Sequence, residues 1–187
     1  MKVLIIGGTR YFGKRLVHQL LLAGHQIWVL SRGQTPDDFG NQVQRLVADR
    51  NEVEALKTAV ESLHFDAVVD QVCMTAAHAQ AAVDLFAGKT SYYLMTSTVS
   101  VYDVSADLTE EDYIAKNYQP RAPQNPMEAY GEGKRAAEHV FSCQNFFKVG
   151  VARLPIVLGE DDYTQRLHDQ ISNIRHRRAM YYPNRQA

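Results

Sequence analysis

Short apolar runs of strand length alternate along this chain with stretches whose apolar residues recur every three or four positions. The first run, Val3-Leu4-Ile5-Ile6, is wholly apolar, as expected of a central parallel strand covered on both faces. Leu16, Val17, Leu20, Leu21 and Ala23 follow at helical spacing, and Gly24 is placed to end that helix. A second strand is expected over 27–30, followed by Ser31-Arg32-Gly33 and a polar loop through Asn41. A third strand, 43–48, ends at Asp49, and Val53, Leu56, Ala59, Val60 and Leu63 then make a helical face. Residues 67–70 read as a fourth strand, the alanine-rich 76–87 as a helix and 92–95 as a fifth strand. An irregular stretch over 103–127 contains Pro120, Pro123 and Pro126. A strong helix over 128–146, a strand over 149–152 and a helix over 162–178 complete the series.

Strand and helix alternating this often imply parallel pairing through right-handed crossovers. The expected fold class is α/β, a doubly wound parallel sheet of the Rossmann type in three layers, α/β/α. The dinucleotide-binding domain is expected over 1–160, and 161–187 reads as the start of a truncated carboxyl-terminal substrate lobe.

Composition narrows the class. Hydrophobic residues make up 45% and charged residues 22%, the balance of a globular protein with a sizeable core. A net charge of −1 gives no global field towards nucleic acid or anionic lipid. Cys73 and Cys143 form no CxxC pair, and the seven histidines form no ligand-spaced cluster, so no disulfide framework and no metal site are expected. The amino-terminal apolar run is too short for a signal peptide core, and no later stretch approaches the ~18–20 apolar residues of a membrane span. A soluble, cytoplasmic protein is expected.

Gly7-Gly8-Thr9-Arg10-Tyr11-Phe12-Gly13 lies between the first strand and the first helix. Gly7 lets the chain turn sharply, Gly13 lets helix and strand pack closely, and the helix start offers N–H groups and partial positive charge to a pyrophosphate. This strand–turn–helix context makes Gly7, Thr9, Arg10, Tyr11, Phe12 and Gly13 candidate cofactor-binding residues. Arg10 stands where the middle glycine of the spacing would fall. It is either a substitution the backbone tolerates or a guanidinium set near the cofactor phosphates. The second strand ends in Ser31-Arg32 rather than in a carboxylate. Arg32 could pair with a 2′-phosphate, so NADP is the expected cofactor, with NAD as second choice. Asp49 could accept from the adenine amino group or cap the helix that follows; Arg50 is grouped with it at the cofactor.

Tyr130 and Lys134 stand one helical turn apart and share a face. A phenol with a pKa near ~10 is a poor proton shuttle at neutral pH unless a neighbouring ammonium stabilises its phenolate. The hydroxyls of Ser97 and Thr98 follow the fifth strand at its carboxyl end, where ligands bind in open α/β sheets.

Together these pieces resemble the extended short-chain dehydrogenase/reductase superfamily, in its NAD-dependent epimerase/dehydratase branch. The matching segments are Gly7–Gly13, Asp49, Thr96-Ser97-Thr98-Val99-Ser100-Val101-Tyr102, Tyr130–Lys134 with Ala136-Ala137-Glu138, and Arg153-Leu154-Pro155-Ile156-Val157-Leu158-Gly159. The resemblance implies a catalytic set of Thr98, Tyr130 and Lys134, with Leu154, Pro155 and Val157 beside the nicotinamide. It implies hydride transfer to or from a small-molecule substrate, a carbonyl compound or a sugar nucleotide, and a homodimer built through 76–87 and 128–146. The Gly-Gly-Thr-Arg-aromatic form looks like an atypical subgroup that includes plastid RNA-binding proteins. A non-catalytic dinucleotide-binding regulator that contacts RNA, and an inactive fragment, are therefore the alternatives.

Arg175-His176-Arg177-Arg178 followed by Tyr181-Tyr182 and Arg185 could hold single-stranded nucleic acid. The absence of a basic excess favours a solvated helix end instead, so a nucleic-acid partner is not expected. Glu110-Glu111-Asp112 reads as a solvated loop, and Asp161-Asp162 with Tyr163 and Arg166 either borders a substrate site or begins a helix.

Overall fold

Wholly apolar strands bury both faces, and here they do so in the middle of one sheet. The computed structural model describes residues 1–103 and 105–179. Its strands are β1 (Lys2–Ile6), β2 (Gln26–Ser31), β3 (Val43–Val47), β4 (Phe65–Asp70), β5 (Thr90–Thr98) and β6 (Lys148–Leu154). All pairs are parallel, in the order β3-β2-β1-β4-β5-β6. The connecting helices are α1 (Tyr11–Leu22), α2 (Val53–Val60), α3 (Ala76–Phe86) and α4 (Pro126–Cys143), with α5 (Arg166–Arg175) beyond β6. The doubly wound α/β fold is as expected.

Alternate residues of each strand serve opposite faces. Leu4, Ile6, Leu30, Val68 and Met95 join a core with Leu56 of α2, Val83 and Phe86 of α3 and Phe141 of α4. Val3, Ile5, Ile27, Val29 and Val69 form the other core with Val17 of α1 and Phe39. Tyr93 sits fully buried among Phe86, Phe141 and Phe147. Its hydroxyl donates to Asp70 at 2.6 Å, and burial pushes its pKa well up.

Several boundaries differ from the sequence expectation for identifiable reasons. β5 runs on through Thr96-Ser97-Thr98, because the hydroxyls of Ser97 and Thr98 find partners and β6 pairs alongside as far as Thr98↔Leu154. β6 is longer for the same reason. α4 starts two residues early, since Asn125 accepts from the N–H groups of Met127 and Glu128 and Pro126 fits the first turn. It ends at Cys143, where Gln144 leaves the helix and its side-chain oxygen takes the N–H of Phe146. The irregular stretch contains two short 3-10 turns, Glu110–Asp112 and Ala115–Asn117.

The chain divides into two compact units, Met1–Pro155 and Ile156–Ala187. The second holds α5, shorter at both ends than the expected 162–178; just ahead of it Asp162 accepts from the N–H and hydroxyl of Thr164. Tyr181, Tyr182 and Arg185 lie outside the described residues. Among those described, no helix is long and apolar enough to cross a membrane.

Candidate functional site

β1 and β4 are neighbours, yet α1 leaves β1 towards one core and α3 leaves β4 towards the other. Diverging connections open a crevice at the carboxyl ends of these two strands. The glycine-rich turn fills its base. Gly7 has φ +87° and donates its N–H to the carbonyl of Leu30 at 2.9 Å. Gly8, at φ +118°, has no room either: a Cβ there would lie 2.9 Å from Ile5. A Cβ at Gly13 would run into the side-chain oxygen of Gln71. α1 begins at Tyr11 with no side-chain cap on Arg10, so its first-turn N–H donors are presented at the crevice. Tyr11 itself takes φ +50°, a left-handed conformation that costs a non-glycine residue on the order of 1 kcal/mol or more. Its ring meets Phe12 edge-on, and Thr9 is half-buried beside them in sequence. Tight glycines and an uncapped helix start form a cradle that suits a diphosphate.

Beyond Ser31, a recess of about 250 Å³ is lined by Ser31, Gly33, Thr35, Pro36, Asp37, Arg45, Leu46 and Val47. Arg10 reaches it, donating from Nε to the hydroxyl of Thr35 at 3.0 Å. The Asp37 carboxylate is gripped by Arg45 through Nε and Nη2, and these bonds hold its pKa below the ordinary value. Its charge is thereby matched. Arg32 is exposed and forms no ion pair among the described residues. Asp49 is occupied at Oδ1, which accepts from the main-chain N–H and side chain of Asn51 at 2.9 and 2.8 Å. Asp49 does not cap α2, whose N-cap is Glu52; Asn51 in turn meets His78. The side chain of Arg50, grouped with the cofactor residues from sequence, is turned inwards. It is 7% exposed, donates to Asp70 at 3.1 Å and reaches the carbonyl of His78 at 2.7 Å. A cation of that length is drawn in because Asp70 is fully buried and needs a counter-charge.

The opposite side of the crevice is built from β5 and α4. Thr98 is buried, and its hydroxyl oxygen accepts from the N–H of Ser100 at 3.2 Å. α4 lies hard against this turn: a Cβ on Gly131 would sit 2.6 Å from the carbonyl oxygen of Ser100. A Cβ on Gly133 would sit 2.5 Å from that of Met74. Two glycines inside a helix are costly, and here they are the condition for the close approach. They bring Lys134 to the sheet. Its ammonium is 1% exposed and donates to the carbonyls of Cys73 and Thr96 at 2.7 and 2.8 Å. Burial lowers its pKa against the pull of Asp70 and Glu138. The same ammonium lies 5.8 Å from the ring centre of Tyr130, which is 42% exposed. Leu154 ends β6 opposite Thr98, with Pro155 exposed after it; Val157 belongs to the second unit.

Two features were not anticipated from sequence. Gln71 lies across the glycine turn, as above. A buried network also backs Thr98: Ser97 donates to Glu138 at 2.5 Å, and Glu138 is paired with Arg153 at 2.8 Å. Arg153 is held between the rings of Tyr102 and Tyr113, each centred 5.0 Å away, and donates to the carbonyls of Glu110 and Tyr113. These pairings span 15 to 51 residues, which no local pattern reports. Glu110-Glu111-Asp112 itself is exposed, with Asp112 bonded to Thr109.

Comparison with known proteins places this geometry. A family model described as "NAD dependent epimerase/dehydratase family" matches residues 3–183. The chain is similar to the chloroplast stem-loop binding protein of 41 kDa b of Arabidopsis thaliana, 29% identical over 128 residues, covering 60% of this chain and 34% of that one. It is 28% identical over 138 residues to the 2′-dehydrokanamycin reductase of Streptomyces kanamyceticus, covering 74% and 37%. The chain thus spans about a third of the length of these curated relatives. Among solved structures, the Bordetella bronchiseptica enzyme WbmG in complex with NAD superposes with a TM-score of 0.72 at 18% identity, covering 97% of this chain and 61% of that one.

Proposed function

Because the chain belongs to the NAD dependent epimerase/dehydratase family, we propose that it is the dinucleotide-binding part of an NAD(P)-dependent oxidoreductase or epimerase. NADP is the preferred cofactor of this proposal and NAD the second choice. Gly7, Thr9, Tyr11, Phe12 and Gly13 would hold the diphosphate, and Arg32 and Arg10, with Ser31, the adenosine end. Leu154 and Pro155 would flank the nicotinamide. The observation that carries the reading is the pairing of the uncapped glycine cradle with a buried Lys134 under Tyr130.

The bound nicotinamide supplies or accepts the hydride. The rest is done by the chain's own groups. Tyr130 Oη would pass a proton to or from the substrate oxygen, and the Thr98 hydroxyl would donate to the same oxygen. Lys134 spends two of its three N–H donors on main-chain carbonyls. The third would take a ribose hydroxyl, while its charge stabilises negative charge developing on the phenol. The substrate class that fits is a carbonyl compound or a sugar nucleotide; the reductase among its relatives supports the first. Dimerisation through α3 and α4, which pack together, is part of the same proposal.

A second reading, a non-catalytic nucleotide-dependent RNA binder, is favoured by the stem-loop binding relative alone. Calorimetry with NADPH and NADH on wild type and Arg32→Ala tests the first. Selective weakening of NADPH by about tenfold or more in the variant is expected, the worth of a charge-assisted contact. Equal loss for both nucleotides overturns the NADP preference, and no binding of either overturns the whole reading. Tyr130→Phe should abolish turnover while leaving nucleotide binding intact; retained turnover contradicts the assigned role.

A further inference from the structure

His78 lies in the first turn of α3 with a partner on every polar atom. Its main-chain N–H donates to the Thr75 hydroxyl at 3.2 Å, and its carbonyl accepts from Arg50 at 2.7 Å. The two ring nitrogens are told apart by their partners. Asn51 gives its side-chain N–H to Asp49, so the atom it turns to His78 Nε2, at 3.0 Å, is the amide oxygen. That oxygen only accepts, so Nε2 carries the ring proton. Nδ1 is then bare, and it accepts the main-chain N–H of Met74 at 3.2 Å. The same peptide group carries the Cys73 carbonyl at its other edge, and that carbonyl holds the Lys134 ammonium at 2.7 Å. The Cys73–Met74 bond is trans, so its C=O and N–H point in opposite directions. Neutral His78 on one side and Lys134 on the other thus fix the plane of one peptide group, and each polarises it in the other's favour.

We infer that His78 is a positioning residue for Lys134, acting through the Cys73–Met74 peptide group and only while its imidazole is neutral; this rests on the role of Lys134 proposed above. A proton on Nδ1 turns the acceptor into a donor that faces the Met74 N–H. The peptide must then tilt, and the Cys73 carbonyl leaves Lys134. Burial opposes the imidazolium, as do the charges of Arg50 and Lys134, while Asp70 and the Val72 carbonyl favour it. Asp49 stands behind Asn51 on the other side of the ring. The balance holds the His78 pKa below its ordinary 6.5. The folded value being the lower one, the neutral form is complete above pH 6.5 and gives way as the pH falls through the folded value.

The experiment pairs nitrogen NMR with calorimetry on wild type and His78→Asn, from about pH 8 downwards through the His78 midpoint. Asparagine keeps an oxygen where Nδ1 stood but cannot be protonated. In wild type the spectra should show the proton on Nε2 at neutral pH. The Met74 amide and Lys134 Nζ resonances should then move at the His78 midpoint. Affinity for oxidised NADP, which survives acid, should begin to fall at that midpoint, by about three- to tenfold, the worth of one hydrogen bond. His78→Asn should show neither step, and comparing the two proteins cancels titration of the nucleotide's own phosphate. A proton on Nδ1 at neutral pH overturns the inference, and so do parallel affinity profiles in the two proteins. If wild type binds no NADP at any pH, the dinucleotide reading falls and the Lys134 resonance alone decides the coupling. Movement with His78 upholds it, and none overturns it.

Discussion

In a helix interior, changing glycine to alanine stabilises by about 1 kcal/mol, since the methyl group narrows the unfolded ensemble and favours the helical backbone. At Gly133 that methyl group would sit 2.5 Å from the main-chain oxygen of Met74. Carbon–oxygen contacts settle at about 3.3 Å or more, so α4 or the turn beneath it must withdraw by roughly 0.8 Å. Neither is free to do so. The next residue, Lys134, holds the carbonyls of Cys73 and Thr96, and Gly131 already leaves no space against Ser100. Overpacking of this kind costs about 1–3 kcal/mol, which turns the propensity gain into a net loss of up to about 2 kcal/mol. For a chain of this size that is a fall in melting temperature of up to roughly 8 °C. Thermal unfolding followed by circular dichroism, wild type against Gly133→Ala, reads it directly. A melting temperature that rises would refute the reasoning, because it would mean that α4 does not approach the sheet as closely as the Lys134 hydrogen bonds require.

The buried pair of Glu138 and Arg153 should be exposed by Glu138→Ala, which strands a guanidinium between Tyr102 and Tyr113 and should cost about 3–5 kcal/mol in urea unfolding. A loss below about 1 kcal/mol would place the pair among solvent-screened surface bridges. Acid stability should depend on Glu132. Burial raises its carboxyl pKa, but hydrogen bonds from Tyr118, the Arg121 N–H and Arg135 outweigh this and hold it below its ordinary value of 4.5. The folded value being the lower one, its stabilisation is complete above pH 4.5 and is lost as the pH falls through the folded value. Melting temperature should therefore drop more steeply below pH 4.5 in wild type than in Glu132→Gln; superimposable curves would contradict it.

The architecture was legible because it is written in local patterns. β1 is apolar at every position that the sheet buries, and Gly7 and Gly13 stand where a strand-to-helix turn needs them. Strand ends were less legible: Thr96-Ser97-Thr98 looks like loop until Glu138 and the Ser100 N–H are known to pair with the Ser97 and Thr98 hydroxyls. Gly8 was passed over, though its crowding against Ile5 and Val17 is as tight as that of its neighbours. Gly131 and Gly133 carried a signal that sequence alone could have raised, since paired glycines inside a strong helical pattern ask for a close neighbour. The inward turn of the Arg50 side chain was not legible, because its partner, Asp70, stands 20 residues away. Gln71 gave no sequence signal at all; its place against Gly13 is decided by where the crossover delivers it.

The burial of Lys134 also makes it a reporter. An acylating reagent in solution can reach the exposed lysines of this chain at once, but an ammonium 1% exposed and bonded to two main-chain carbonyls is closed to it. Acylation at that position waits on exposure of the nitrogen, so its rate relative to that of an exposed lysine reports the open population when reclosing is fast, and counts openings only when acylation outpaces reclosing. A single nitrogen thus reports how readily α4 and the sheet come apart, and a ligand that holds them together would lower its rate.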